Sequence, residues 1–401
     1  MFKKSHLALL LATFSSFISF SQTTEGPEFG KGVFNIMGKD STWSMKIGAR
    51  MQFLTTVAWD REDGHWGKAN TAALVRRARL KFNGFAYSPK LKYKIELGLS
   101  NRDMSGASEY TSHAPRYILD AVVMWNFHQN FELWLGQAKL PGNLERTISS
   151  GNLQQVDRSL LNSRFTLDRE TGLQLRHHFY IGNQFLVREK FALSQGEGRN
   201  VTGGNLGGAQ FTGRLELLPL GEFTDGGDAL AGDLSREKTP KLMLSLTYDH
   251  NKDAVKTRSN QGSYMVNDIG FHHTDINTLF LDALFKYNGF SFMGEYAHRD
   301  ADDPLAKNSD GSLTGDSILV GNGLNLQTGY LFRNNWEVSG RYTQIDPDID
   351  ITGENWEKQF TLGLSKYIVG HKLKLQTDIS YLSNGNDTDE LMYRLQFDIH
   401  F

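Results

Sequence analysis

Cysteine is absent from the 401 residues of this chain. A disulfide framework, a thiol nucleophile and a thiolate metal site are therefore all excluded. Long apolar runs are also scarce, because nothing beyond the N-terminal segment approaches the ~20 consecutive apolar residues that a membrane-spanning helix needs. The formal net charge is only −2, which by itself decides nothing about the partners of the chain.

The residue types that are abundant suit strands and turns. Aromatic residues make up 12% of the chain, and there are 40 glycines but only 8 prolines. Aromatic side chains are enriched in strands, and glycine is enriched in tight turns. A chain of this length would form more than one ordinary soluble domain, but a large barrel can hold it in a single domain.

The first residues have the pattern of a secretory signal peptide. Two lysines precede an uncharged apolar run over residues 7–20, which ends among small residues. This pattern predicts a signal peptide over residues 1–21, cleaved after Ser21, and a mature chain that leaves the cytoplasm. A membrane anchor is the alternative, but the run is short for a helical span.

The last eleven residues, 391–401, alternate between apolar and polar side chains. Leu395 and Phe397 would lie on one face of a strand, and Arg394 and Asp398 on the other. Such alternation predicts a strand with one face in an apolar medium and one in water. The chain then ends on an aromatic residue, so we expect this strand to close a barrel.

Similar alternating segments recur along the chain, about sixteen in all. Each is near the ~10 residues that a tilted strand needs to cross a bilayer, and an even number returns both termini to the same side. The predicted fold is all-β, an antiparallel transmembrane β-barrel over residues 43–401. A periplasmic lead over residues 22–42 would precede it.

The connections between the predicted strands sort by length. Links after even-numbered strands are mostly short, such as Asn288-Gly289, whereas links after odd-numbered strands are long and polar. This is the arrangement of outer-membrane barrels, in which the short turns are periplasmic. Residues 221–239 are the exception. The third long loop, residues 140–170, contains many apolar residues, so we expect it to fold inward and narrow the barrel.

One predicted strand, residues 184–194, does not fit the pattern. Placing its apolar residues outward also places Glu189 on the lipid face, which is unfavourable. A bulge or a shifted register is therefore expected near Glu189.

Basic side chains dominate the predicted lumen face, although the whole chain is slightly acidic. Arg77, Arg79 and Lys81 share one face of a strand, and Lys92 and Lys94 extend the row on its hairpin partner. Rings of arginine or lysine favour anions in a pore, and the guanidinium fork matches phosphate or carboxylate oxygens. The alternative is that lumen charges of both signs simply pair across neighbouring strands.

The chain resembles the phosphate-selective porin O and P family. The resemblance is carried by the basic strand RRARL at residues 76–80, the segment LGQAKLP at 135–141 followed by Glu145, the arginine-bearing loop to Phe165, and the terminal Phe401. It implies a barrel of about sixteen strands, usually trimeric, with an inward third loop and an arginine ladder along the lumen. Arg158, Arg164, Arg188 and Arg214 are candidate members of that ladder.

The sequence thus predicts a porin of a bacterial outer membrane, which forms a water-filled channel for passive diffusion of small anions, with phosphate or polyphosphate among them. The candidate pore-lining and anion-binding residues are Arg77, Arg79, Lys81, Lys92, Lys94, Arg158, Arg164, Arg188 and Arg214. The expected partners are outer-membrane lipid, small anionic solutes, the barrel-insertion machinery acting through Phe401, and further copies of the chain in a homotrimer, with no nucleic acid.

Three alternatives remain open. A general porin of low selectivity would share the fold. A barrel enzyme of the lipase type needs a nucleophile and a base near the lipid, and the sequence identifies no such pair. A secreted β-sandwich that binds glycans would bury the apolar faces of its strands against each other.

No catalytic residue, cofactor or metal is expected. The acidic segment 346–350 lacks the glycine placement of a calcium loop, and His177 and His178 lack a third ligand at a recognisable spacing.

Overall fold

The computed structural model describes residues 27–386 and 388–401. The predicted signal peptide and its cleavage after Ser21 lie outside the described residues, as does the beginning of the predicted lead. None of the helices in the described parts of the chain is long and apolar enough to cross a membrane.

Sixteen antiparallel strands form one closed wall, in which each strand pairs with its neighbours in chain order and the last pairs with the first. The closing pair places His400 opposite Arg50 and Asp389 opposite Arg61. The strands are β1 (Ser44–Glu62), β2 (Asn70–Ala86), β3 (Ser88–Gly98), β4 (Ile118–His128), β5 (Phe131–Lys139), β6 (Arg169–Ile181), β7 (Phe185–Ser194), β8 (Gln210–Leu218), β9 (Lys241–Ala254), β10 (Thr274–Tyr287), β11 (Phe290–Ala301), β12 (Gly321–Leu331), β13 (Trp336–Pro347), β14 (Glu357–Val369), β15 (Leu373–Asn384) and β16 (Asp389–His400). The predicted antiparallel barrel is confirmed.

Alternation along each strand separates an inner from an outer face. In β16, Leu395 and Phe397 are 38% and 39% exposed on the outside, whereas Asp398 is completely buried. Directly paired residues of neighbouring strands share a face, so the same division extends around the wall. The closing strand therefore has the apolar outer row and the polar inner row that its sequence predicts.

The residues before β1 also take part in the sheet. A short strand, Phe34–Met37, pairs with the first residues of β1, with Phe34 opposite Ile47. It continues the line of β16 beyond the C-terminus, and the Phe29 ring lies 6.2 Å from that of Phe401, centroid to centroid. The described part of the lead is thus an extension of the wall on the side where the chain ends.

Short and long connections alternate as predicted. Asn288 and Gly289 alone join β10 to β11, both with positive φ, which glycine adopts without strain. The long connections carry structure that the alternation pattern does not predict. This comprises helices α1 (Asn101–Met104), α2 (Leu144–Thr147), α3 (Leu160–Phe165) and α4 (Ile349–Thr352), 3₁₀ turns Glu109–Thr111 and Thr224–Ala229, and the short strands His65–Trp66, Lys256–Arg258, Gln261–Tyr264, Val266–Asn267, Gly270–Phe271, Leu305–Lys307 and Leu313–Ser317.

The prediction of a bulge or a shifted register near Glu189 is wrong. The pairing of β7 with β6 and with β8 runs through Glu189 without a register shift. Glu189 stays on the outer face and lies opposite His177, whose Nδ1 is 2.9 Å from the Glu189 carboxylate. The His177 ring in turn stacks on Phe131 at 4.0 Å. A local partner, rather than a change of register, accommodates the polar side chain.

Two connections fill one side of the lumen. The inner loop, residues 140–168, and the periplasmic link, residues 219–240, meet there, and the Ala231 amide donates to the Asn152 carbonyl at 3.0 Å. Their apolar side chains pack against inward residues of β7 to β11. This cluster contains Leu144, Ile148, Leu153, Leu186, Leu218, Phe223, Ala231, Met243, Leu284 and Met293. The exceptional length of the periplasmic link thus has a structural use, because the link packs inside the barrel against the inner loop.

Lys286 fastens the periplasmic link to the wall. Its buried Nζ donates to the carbonyls of Gly227, Leu230 and Gly232, at 2.7, 2.9 and 2.6 Å. The Asp233 carboxylate accepts a bond of 2.7 Å from the Gly289 amide in the neighbouring turn.

We expect Lys286→Met to lower the temperature at which the barrel unfolds in detergent, seen as the change from folded to unfolded migration on a gel. The reason is that three buried carbonyls lose a charged donor, and each such hydrogen bond stabilises the folded state by ~1.5–3 kcal/mol. If the link also leaves the lumen, single-channel conductance rises. Lys366→Met is the matched control, since Lys366 Nζ donates to one carbonyl only, that of Asn334 at the surface. Equal effects of the two substitutions would contradict the fastening role.

Candidate functional site

The other side of the lumen contains a cavity of about 930 Å³ between the inner loop and the wall. Fifteen arginines and lysines line it, against six aspartates and glutamates. The basic residues are Arg76, Arg77, Arg79, Lys81, Lys94, Arg102, Lys139, Arg146, Arg158, Arg169, Arg176, Lys190, Arg199, Arg258 and Arg394. The cavity is therefore strongly positive, although the whole chain is slightly negative.

A β-bulge concentrates arginine at one point of this cavity. The register of β1 with β2 shifts between Gln52 and Phe53, so that Arg76 is the extra residue on β2. A bulge lets two consecutive side chains project to the same side. Arg76 and Arg77 consequently both reach Asp157 of the inner loop, with N–O distances of 2.7 and 3.3 Å.

Asp157 is held from several directions. Its carbonyl accepts a bond of 2.8 Å from Arg341, and the neighbouring Val156 amide donates to Asp378 of β15 at 3.2 Å. Burial acts to raise the pKa of Asp157, but the guanidinium groups of Arg76 and Arg77 outweigh it and hold that pKa well below its usual value. Asp157 therefore stays ionised at neutral and mildly acidic pH and partly neutralises the arginine pair.

A second group of charges lies on β2 to β4. Glu96 is 3.1 Å from Arg79 and 3.2 Å from Lys94, and Lys94 also pairs with Asp120. Arg79 forms a further ion pair with Asp103 at 2.9 Å. In this group the alternative prediction is correct, namely that lumen charges of both signs pair across neighbouring strands, because carboxylates lie on the same face as these cations.

Arg146, Arg169, Lys190 and Arg394 likewise pair with carboxylates. Three further cations of the cavity, Arg158, Arg176 and Arg199, make no carboxylate contact within 4 Å among the described residues. Arg158 donates instead to the carbonyls of Glu145 and Ile148, at 3.0 and 2.7 Å. Arg176 lies over the Trp134 ring, with its Cζ 3.5 Å from the ring centroid. Arg199 donates to the Asp103 carbonyl at 2.6 Å. Their positive charges are available to a solute, since no carboxylate in the described parts of the chain neutralises them at close range.

The nine sequence-predicted site residues separate into three sets. Arg77, Arg79, Lys81, Lys94 and Arg158 line the cavity. Lys92 is exposed on β3 away from the cavity lining.

The remaining three predicted residues make ion pairs elsewhere. Arg164 contacts Glu357 at 2.7 Å, and Arg188 contacts Asp228 of the periplasmic link at 2.5 Å. Arg214 is buried between Glu216 and Asp282, at 2.8 and 2.6 Å. In these positions the three arginines hold the wall, the inner loop and the periplasmic link together.

Sequence reasoning missed several lining cations. The residues missing from the predicted site are Arg76, Arg102, Lys139, Arg146, Arg169, Arg176, Lys190, Arg199, Arg258 and Arg394. Strand alternation does place Arg176, Lys190 and Arg394 on the lumen face, but it does not distinguish them from the other cations there as members of the site. Arg76 faces inward only because of the bulge, and the loop arginines are placed by tertiary packing.

Two weaker motifs have ordinary structural places. Asp348 is the N-cap of α4, where its side chain accepts from the Asp350 amide. His177 faces outward beside Glu189, while His178 occupies the next position of β6. No group of three or more histidine and carboxylate side chains placed to hold a metal ion occurs in residues 27–386 and 388–401.

Comparison with known proteins gives the family and the fold. The sequence model of the family described as phosphate-selective porin O and P matches residues 56–397. A curated protein of Aquifex aeolicus, described as uncharacterized, is 23% identical over 363 residues, which cover 83% of this chain and 82% of that protein.

Solved structures with the same fold are far more distant in sequence. The anion-selective porin from Comamonas acidovorans is 14% identical, with a TM-score of 0.52, over 90% of this chain and 100% of that one. The outer membrane channel DcaP of Acinetobacter baumannii is 10% identical, with a TM-score of 0.54, over 91% and 99% of the two chains. These similarities concern the architecture of the barrel.

We expect Asp157→Asn to increase the preference of the pore for anions, because the substitution removes the carboxylate that partly neutralises Arg76 and Arg77. The chloride-to-potassium permeability ratio, obtained from the reversal potential in asymmetric KCl, should rise about twofold to tenfold. Asp350→Asn is the control, since it removes the same charge from the exposed helix α4, outside the cavity. A ratio that falls or stays constant in Asp157→Asn would show that this carboxylate does not act on the permeation path.

Proposed function

Because this chain belongs to the phosphate-selective porin O and P family, and is thus an outer-membrane porin, we propose that it passes small anions by passive diffusion. The observation that carries the proposal is the cavity, in which fifteen basic residues face six acidic ones. A water-filled lumen of this sign concentrates anions and repels cations.

The arginines favour oxyanions in particular. A guanidinium group presents parallel N–H donors that match two oxygens of a phosphate or a carboxylate. Arg158, Arg176 and Arg199 have no carboxylate partner within 4 Å among the described residues, so a solute can take that place. We therefore propose phosphate and polyphosphate among the solutes, and Arg77, Arg79, Lys81, Lys94 and Arg158 among the residues that contact them.

A general porin of low selectivity is the second candidate. It is favoured by the ion pairs of Arg79, Lys94 and Glu96, which neutralise part of the lumen. The two candidates differ in a measurable quantity, since a low-selectivity porin would show a chloride-to-potassium permeability ratio near that of free solution.

The protein is a channel rather than an enzyme, and we propose that it has no catalytic activity. A lipase-type site needs a nucleophile beside a base on the lipid face. The outward His177 pairs with Glu189 and stacks on Phe131, and no serine hydrogen-bonds to it in the described parts of the chain. Lipid hydrolysis by the purified protein would contradict this proposal.

The proposed organisation follows the sequence: a signal peptide over residues 1–21, a periplasmic lead over 22–42 and the barrel over 43–401. We propose that the mature protein is a homotrimer in the outer-membrane lipid. We also propose that Phe401 is the signal read by the barrel-insertion machinery, because it ends the closing strand on the outer face and remains 38% exposed.

We expect Arg77→Glu combined with Arg79→Glu to lower the chloride-to-potassium permeability ratio by about tenfold or more, since two cations of the cavity become anions. The measurement is the reversal potential in asymmetric KCl. Arg333→Glu, in an exposed turn between β12 and β13, is the matched control.

Glu96 and Asp103 lie beside Arg79, so the double substitution places acids together and can impair folding. Arg77→Gln combined with Arg79→Gln avoids this and should shift the ratio in the same direction by a smaller amount. Unchanged selectivity in both double variants would remove these two residues from the site.

Deleting Phe401 should impair assembly more than conductance. In the membrane fraction, we expect most of the deletion variant to migrate on a gel as unfolded protein, with no change on heating. The part that does assemble should keep the wild-type conductance. Phe401→Tyr retains the aromatic ring and should assemble normally. Normal assembly of the deletion variant would contradict the proposal that Phe401 is the insertion signal.

A further inference from the structure

An apolar patch lies on the inner face of the wall, where alternation requires polar residues. Its members, from β1, β2, β15 and β16, are Leu54, Ala58, Leu74, Leu382 and Met392. Leu54 pairs directly with Leu74, and Ala58 pairs directly with Met392. They face inward because directly paired residues share a face, and Gln52 and Gln396, on that face, are buried in the lumen.

The apolar patch is partly open to the lumen. Leu74 is 44% exposed, and Leu382 and Met392 line the basic cavity. Leu160 of the inner loop lines the same cavity. Apolar side chains that are exposed to the water of a lumen are unfavourable there. A group of them therefore marks a contact surface.

The apolar patch borders the arginines of the cavity. Met392 and Arg394 are next to each other on the inner face of β16, one strand repeat or ~7 Å apart. Arg394 forms an ion pair of 2.7 Å with Asp378, and Arg76 forms one with Asp157. Thr56 lies opposite Arg394, between Leu54 and Ala58 on β1. On β15, Ser380 pairs with Met392 and Leu382 pairs with Glu390, which also lines the cavity. The apolar patch therefore borders a carboxylate at one end and the paired Arg394 at the other.

We propose that this pore favours organic anions with an apolar body, such as aromatic carboxylates, over anions of the same charge that lack one. This inference rests on the proposed anion channel and specifies its substrate class. The anionic group of the solute approaches Arg76 and Arg394, while its apolar body lies on Leu382 and Met392. Inorganic phosphate has no apolar surface, so it gains only from the arginines.

The expected discrimination is modest and measurable. A ring that covers roughly 60 Å² of apolar surface gains about tenfold in partitioning at ~25 cal/mol per Å². Benzoate and acetate are suitable probes because they carry the same charged group, and benzoate is the larger ion.

The test compares the permeability of sodium benzoate with that of sodium acetate, from zero-current potentials of the purified protein in planar bilayers. We expect the benzoate-to-acetate permeability ratio of the wild-type pore to exceed one, against the order of size. Leu382→Asn combined with Met392→Gln replaces two apolar side chains by uncharged polar ones and should lower that ratio about fivefold. Met392→Gln alone removes one apolar lining residue, should lower the ratio in the same direction by a smaller amount, and replaces the double variant if that variant does not fold.

The inference is overturned if the wild-type ratio is one or less, or if the properly folded variants keep the wild-type ratio. The proposed function is tested separately on the same channels, from the reversal potential in asymmetric KCl. If the pore prefers chloride to potassium but is less permeable to benzoate than to acetate, the proposed function stands and the proposed substrate class is refuted. A pore that prefers potassium refutes both.

Discussion

Every backbone N–H and C=O group at membrane depth must find a partner within the protein, because lipid offers none. A wall of sixteen antiparallel strands meets this demand only when β16 pairs with β1, and this closure places each residue either toward lipid or toward the lumen. The inner faces of the strands then enclose a space that side chains alone do not fill. The inner loop and the periplasmic link occupy part of that space, so their positions determine the shape of the remaining cavity.

The two connections do not fill the lumen evenly. Apolar side chains of the inner loop pack against β7 to β13, in two buried clusters. On the opposite side the loop makes polar contacts, such as that of Ser150 with Arg50 at 2.9 Å. The apolar contacts therefore fix the loop to one side, and the polar side of the loop becomes a wall of the cavity. Asp157 belongs to this wall, so the position of the loop also sets the charge that a solute meets.

Local patterns predict the parts of the molecule that depend on local geometry. The period of two along β16 identifies its inner and outer faces, and the same alternation places Arg77, Arg79 and Lys94 in the lumen. The alternation also holds at Glu189, which lies on the outer face opposite His177, so the bulge expected there does not form. What the alternation does not show is the partner of an inward residue: Arg214 is enclosed by Glu216 and Asp282 instead of facing the cavity.

The sequence by itself determined the barrel, its strand number, the alternation of short and long connections and the basic sign of the lumen. These features follow from the two-residue repeat of a strand and from residue composition, which are properties of neighbouring residues. Only the tertiary structure decided that Arg76 and Arg77 share Asp157, that the periplasmic link enters the lumen, and that Met392 pairs with Ala58 and lines the cavity together with Leu382. Each of these depends on a bulge, on pairing register or on packing between segments far apart in the chain, because a strand alone does not specify what faces it across the lumen.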